Sequence, residues 1–320
     1  MTSRERVLAA LAGEPLDRPP VSFWGHVYHR ESSAAELVAH TLERWRAYRW
    51  DWVKLNPRKH YHVEPWGVRY RYTGVPNEKP TVEHWPVHEP ADWDRIDERP
   101  HDQGALGEQL EAVRELRRAL PKDVPVLQTV FTPLAILAEL TEPPEALRDL
   151  MPREPKRLER ALEAVTRTFE RYVTEVMRAG ADGIFLATTD WGSREFVTPE
   201  SLRRWSRPYD LRLLAAAGPS RYHTMHVCKR DNLLYEFAGY PVGAFSWDAT
   251  APGNPGLGEA LAKLKAAVMG GIDHEGALEA TGGRRFLFAP GCSIPPETSD
   301  ATLAALRDEV ERAPARQGGS

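Results

Sequence analysis

The feature that most limits what this chain can fold into is a regular alternation of short apolar runs, rich in β-branched and aromatic residues, with stretches of helical spacing. Eight runs can be counted: Pro20–His26, Trp52–Asn56, Val124–Phe131, Gly183–Thr188, Tyr222–Cys228, Val242–Asp248, Ala266–Gly271 and Arg285–Pro290. Helices are expected over Ser33–Tyr48, Gln103–Leu120, Pro133–Leu140, Arg153–Ala179, Pro199–Ala217, Asp231–Ala238, Gly256–Leu264, Gly276–Thr281 and Ser299–Ala313. Strands separated by helical crossovers pair in parallel, and eight of them favour a closed ring over an open doubly wound sheet. The expected fold is therefore α/β, a single (β/α)8 TIM barrel forming one domain over residues 1–314, with a disordered tail at 315–320. Residues 57–100 break the rhythm. They are rich in Pro, His, Trp and Tyr, show no helical period, and read as extended segments or hairpins inserted near the barrel mouth.

Composition removes several function classes. At 320 residues, 42% hydrophobic and 28% charged, the chain has the apolar material for a large core and is not a disordered protein. A net charge of −4, with no Lys/Arg block, argues against a nucleic-acid or anionic membrane partner. The N-terminus is charged throughout and lacks an apolar stretch of signal or membrane-spanning length, so a cytoplasmic location is expected. A reducing compartment keeps the two cysteines, Cys228 and Cys292, as thiols.

Active sites of such barrels lie at the C-terminal ends of the strands. His226 and Cys228 end the fifth run two residues apart, which on an extended backbone points both side chains to one face, about 6–7 Å apart. Cys292 follows the eighth run at the same mouth. One imidazole and two thiols from scattered strands suit a catalytic Zn²⁺ with a fourth position left for substrate; the bland alternative is a buried histidine and two ordinary cysteines. Asp248, ending the sixth run, is a candidate to orient His226, accept a proton or serve as fourth ligand. Asp190 is a second catalytic candidate. Trp24, His26, Lys54, Asn56, Gln128, Trp191, Arg194 and Asp273 also fall near strand ends and are candidates for a polar, aromatic-walled substrate pocket. His60-x-His62-x-Glu64 has spacing suited to a second metal, a weaker reading in a Tyr- and Pro-rich surface segment.

Arg4-Glu5-Arg6-Val7-Leu8-Ala9-Ala10-Leu11, Gly13-Glu14-Pro15, Asp17-Arg18-Pro19-Pro20-Val21, Gly180-Ala181-Asp182-Gly183-Ile184 and Ala289-Pro290-Gly291-Cys292-Ser293-Ile294-Pro295 together resemble the uroporphyrinogen decarboxylase superfamily over nearly the whole chain. The resemblance implies a barrel, and one of two chemistries. Cofactor-free decarboxylases of that superfamily carry an Arg-rich loop after the first strand and Gly-His-Gly after the last. Here those places hold Phe23-Trp24-Gly25-His26-Val27-Tyr28-His29-Arg30 and Gly291-Cys292-Ser293. His226-Val227-Cys228 with Pro290-Gly291-Cys292 is instead similar to the zinc methyltransferase branch, which moves a methyl group from a corrinoid to a thiol. What the resemblance implies is a zinc-dependent methyltransferase activating a thiol or other soft sulfur substrate. The chain has no recognisable corrinoid-binding motif, since Asp273-His274-Glu275-Gly276 lacks the Asp-x-His-x-x-Gly spacing. A corrinoid would arrive on a separate protein. A zinc-dependent C–S lyase or desulfurising enzyme is the alternative reading. A metal-free decarboxylase, or a non-catalytic binding barrel with a structural zinc, fits the sequence less well.

Overall fold

A computed structural model describes residues 1–271, 277 and 280–312. Seven short strands form one parallel sheet in the order β1 (Val53–Leu55), β4 (Val126–Phe131), β5 (Gly183–Ala187), β6 (Thr224–His226), β7 (Ala244–Ser246), β8 (Ala267–Gly270) and β9 (Phe286–Phe288). Two more strands, β2 (Arg69–Arg71) and β3 (Thr81–His84), pair as an antiparallel hairpin. The expected first strand survives as an extended stave rather than a regular one. Among the described residues its ladder contacts are isolated parallel bridges, Val21 with Phe288 and Gly25 with Ile294. Pro20 has no N–H to give, yet its carbonyl accepts from Phe288 N at 2.9 Å, Ser22 N donates to Phe288 O at 3.1 Å, and Asp51 N donates to Val21 O at 2.8 Å. The stave thus fills the gap between β9 and the approach to β1, and the curled sheet is a (β/α)8-type barrel.

Alternation along the strands makes two cores. Inward-facing Trp24, Trp52, Leu127, Phe185, Met269 and Leu287 pack inside the ring, while Val53, Leu55, Ile184, Leu186, Met225 and Phe245 face the surrounding helices. The long helix α6 (Pro155–Arg178) shows why the helices stay put. Pro155 sits in its first turn, and Leu158, Leu162, Val165, Phe169, Tyr172 and Val176 recur at helical spacing on its buried face. Each such buried side chain contributes about 1.5–3 kcal/mol.

Departures from the sequence reading are local. α1 (Ser3–Ala12) is an additional helix, opened by a capping box between Thr2 and Glu5 and closed by Gly13 at φ 74°. The expected helix 199–217 is two, α7 (Pro199–Trp205) and α8 (Arg207–Ala217), broken at Ser206. The expected helix Asp231–Ala238 shrinks to a 3₁₀ turn at Leu234–Phe237, because the preceding backbone bonds sideways: Asp231 N to Pro252 O and Asn232 N to Asn254 Oδ1. Residues 57–100 hold the expected hairpin plus 3₁₀ turns at Glu64–Trp66 and Pro90–Arg95. The closing helix, α10 (Asp300–Arg312), matches its expected range to within a residue. Residues 276, 278 and 279 of the helix expected at 276–281, and the tail 315–320, lie outside the described residues. No helix among the described residues is long and apolar enough to cross a membrane.

Candidate metal centre

β6 delivers His226 to the C-terminal end of the barrel. Its neighbours Met225 and Val227 are fully buried in the outer core, so strand alternation turns the imidazole inward, where its ring stacks on Phe185 with centroids 5.1 Å apart. Cys228 lies two residues on and is half-buried; its backbone N donates to Thr188 Oγ1 at 3.2 Å. The Pro290-Gly291 turn after β9 brings in Cys292, which is exposed at the mouth. The ligand atoms of His226, Cys228 and Cys292 lie within 4.8 Å of one another, the one such group of three among the described residues. Metal–ligand bonds of about 2.0–2.3 Å place tetrahedral neighbours about 3.3–3.8 Å apart, so closing this group on zinc needs a shift of about 1 Å.

The surroundings prepare the donors. His226 Nδ1 is 3.1 Å from Ser246 Oγ, and Ser246 is its register partner across β6 and β7. In the tautomer with hydrogen on Nδ1, Ser246 accepts and the Nε2 lone pair is left for a metal. Cys292 is held well below the usual thiol range, first by a hydrogen bond from Cys228 and then by His226 and the Ser293 N–H. Cys228, the donor of that bond, is pushed well above it, first by the bond and then by desolvation.

The other sequence candidates separate into groups. Lys54, Asn56 and Trp24 gather on the inner face beside the cluster: Lys54 Nζ donates to Asn56 Oδ1 at 2.8 Å and lies 5.2 Å from the Trp24 ring centre. His26 Nδ1 is 2.9 Å from the buried carboxylate of Glu31, and the ring stacks on Tyr28. Asp190 sits on the rim, paired with Lys229 at 3.2 Å. Asp248 makes no hydrogen bond to His226 among the described residues. Its Oδ1 accepts from Thr250 N at 3.0 Å and Thr250 Oγ1 at 2.6 Å, which makes it a loop cap. Gln128 faces outward and donates to the Tyr172 hydroxyl of α6 at 3.1 Å, so it is not a mouth residue. Trp191 is buried against Phe196. Arg194 lines a surface cavity of ≈540 Å³ with Arg148, Arg204 and Trp205, whose lining includes none of the three candidate ligands. Asp273 lies outside the described residues. His60 and His62 turn to Glu139, at 3.6 and 3.1 Å, while Glu64 pairs with Arg58, so the suggested second metal triplet does not assemble. Ser246, Thr188 and Phe185 were not legible as site residues, since each acts across strands.

The model of the uroporphyrinogen decarboxylase (URO-D) family matches residues 2–313. The chain belongs to the uroporphyrinogen decarboxylase family. It is 22% identical to the methylcobamide:CoM methyltransferase MtaA of Methanosarcina barkeri, over 96% of this chain and 98% of that one. A methyltransferase from Methanosarcina mazei shares the fold with TM-score 0.81 at 22% identity, covering 97% of this chain and 99% of its own. A B12-independent methionine synthase from Shewanella sp. W3-18-1, in complex with selenomethionine, follows at TM-score 0.57 and 12% identity, covering 90% and 94%. Within the family the chain is methyltransferase-like. The arginine in the loop after the first stave agrees, because Arg30 is spent on Glu36 and Glu43 of the neighbouring helix.

Proposed function

We propose that this member of the uroporphyrinogen decarboxylase family is a zinc-dependent methyltransferase in which His226, Cys228 and Cys292 hold the metal, a thiol takes the fourth position, and the methyl group comes from a corrinoid carried by a separate protein. The observation that carries the reading is the three soft donors within 4.8 Å at the open end of the barrel. Two thiols and an imidazole fit zinc by their chemistry, and three protein ligands leave one tetrahedral corner. The family and the methyltransferase relatives support a transferase.

The residues of the chain have distinct parts. Ser246 engages Nδ1 of the His226 ring and so leaves Nε2 as the nitrogen for the metal, and Phe185 covers one face of that ring and keeps water from it. Thr188 fixes the backbone of Cys228. Asp248 steadies its loop through Thr250 and packs against Gly291, whose added Cβ would come within 2.8 Å of Asp248 Cα. Asp190 and Lys229 form the polar rim. When bound, zinc supplies a Lewis acid that keeps a thiol as thiolate near neutral pH.

Metal analysis followed by a thiol screen with methylcobalamin tests the reading. About one zinc per chain is expected, mostly lost in Cys228→Ala or Cys292→Ala, together with methylation of a thiol. Unchanged zinc in both variants, or a correctly folded protein that binds none, overturns it.

A further inference from the structure

Lys54 is 6% exposed and extends from β1 into the barrel, with its ammonium 4.8 Å from the Phe185 ring centre and 5.2 Å from that of Trp24. Its hydrogen bond goes to the neutral Asn56 Oδ1, and the acidic groups that face it, Cys292, Cys228 and Glu31, act on it without a direct ion pair among the described residues. Asn56 is 9% exposed, on the same strand face two residues later, and its Nδ2 is buried without a partner. A buried ammonium with no hydrogen-bonded counterion and a buried amide donor without an acceptor are both costly, and native interiors rarely leave either. Here the two stand side by side. Phe185 is also the ring stacked on His226, so this unsatisfied donor pair is one ring away from the candidate metal centre.

We propose that Lys54 and Asn56 bind the end of the substrate remote from sulfur, and that the substrate is a thiol carrying a carboxylate. This rests on the zinc–thiol reading above and adds a substrate class to it. One oxygen of a planar carboxylate takes the Lys54 ammonium and the other takes Asn56 Nδ2, which satisfies both orphan donors and neutralises the charge. A sulfonate or phosphonate brings a third oxygen. That oxygen would meet the ring faces of Trp24 and Phe185, whose π-clouds are negative and repel it. The same rings suit the Lys54 cation and a short methylene chain.

Calorimetric titration of the zinc-loaded protein with 3-mercaptopropionate, 2-mercaptoethanesulfonate and 2-mercaptoethanol tests the assignment. The carboxylate thiol should bind about tenfold or more tighter than either of the others, the magnitude of a charge-assisted hydrogen bond. Lys54→Met should abolish that preference, and Asn56→Leu, which keeps the cation, should reduce it. Circular dichroism and zinc content show that each variant is folded and loaded. Equal affinities in the wild type, a preference for the sulfonate, or a preference that persists in a folded Lys54→Met protein overturns the proposal. If no thiol binds, the zinc–thiol reading fails by itself, and the carboxylate site is then read with propionate on the metal-free protein: binding lost in Lys54→Met supports it, and no binding overturns it.

Discussion

His226 and Ser246 oppose each other in the register of β6 and β7, and their 3.1 Å contact decides which imidazole nitrogen is free. Removing the serine hydroxyl leaves the ligand in place but its tautomer and tilt unfixed. Ser246→Ala should therefore weaken zinc binding about 10–100-fold, the usual effect of losing a partner that orients a metal ligand, with the fold unchanged. Competition with a chromophoric chelator measures this; unaltered affinity would mean that Phe185 stacking alone orients the ring. The case also shows what a sequence conceals. The spacing of His226 and Cys228 is visible within one strand because side-chain direction repeats every two residues. The identity of the orienting group is not, because it depends on pairing between strands. Reading along the chain favours Asp248 for its charge, whereas the register selects Ser246, two residues earlier and directly opposite. Gln128 fails by the same logic: one step along β4 from inward-facing Leu127, it faces α6.

At the scale of elements, the loops joined to the strands set the site as much as the strands do. Gly291 has no side chain because an added Cβ would meet Asp248 Cα, Cβ and Cγ at 2.8, 2.9 and 3.1 Å. Gly291→Ala must push the Cys292 loop away from β7, at a cost of about 1–3 kcal/mol typical of overpacking, and is expected to lower zinc occupancy, read by metal analysis of the purified variant. Zinc retained at wild-type affinity would show that the loop yields without moving the thiol. A second element-scale device is independent of the metal. Where α7 gives way to α8, Asp210 is fully buried and accepts from Ser206 Oγ at 2.7 Å and Tyr240 Oη at 2.8 Å. Burial pushes its carboxyl up to about 7, against those two hydrogen bonds. Its folded pKa is above the unfolded value, so its contribution to stability is complete below about pH 4 and is lost as pH rises to about 7. Unfolding midpoints in denaturant should fall over that window by up to about 4 kcal/mol in total, at about 1.4 kcal/mol per unit of pKa shift. Asp210→Asn should flatten this dependence; a variant with the wild-type slope would rule out Asp210 as its source.

On the scale of the whole molecule, the alternation of strands and helices was legible because each element satisfies a period of its own, and the count of eight pointed to a closed ring; what holds the ring closed was not legible. The first stave has few ladder bonds, so something other than sheet pairing must hold it. Asp51, 1% exposed just before β1, does so at the end of the barrel opposite the metal centre. Its carboxylate accepts from Arg6 Nη1 of α1 at 2.6 Å, from Arg18 Nη1 at 2.6 Å and Nη2 at 3.1 Å, and from Val21 N of the stave at 2.8 Å, with Arg307 of α10 at 3.8 Å. One buried anion thus joins the N-terminal helix, the closing stave and the C-terminal helix. Asp51→Asn keeps the shape but leaves the guanidinium groups without that charge, and losing one partner of a buried ionic cluster costs about 3–5 kcal/mol. The variant should unfold at markedly lower denaturant concentration than the wild type. Below its transition it should still bind about one zinc per chain, because the ligands leave the far ends of the strands. Wild-type stability in Asp51→Asn would mean that apolar packing of the inner core closes the ring unaided. Loss of zinc before unfolding would mean that the two ends of the barrel are coupled.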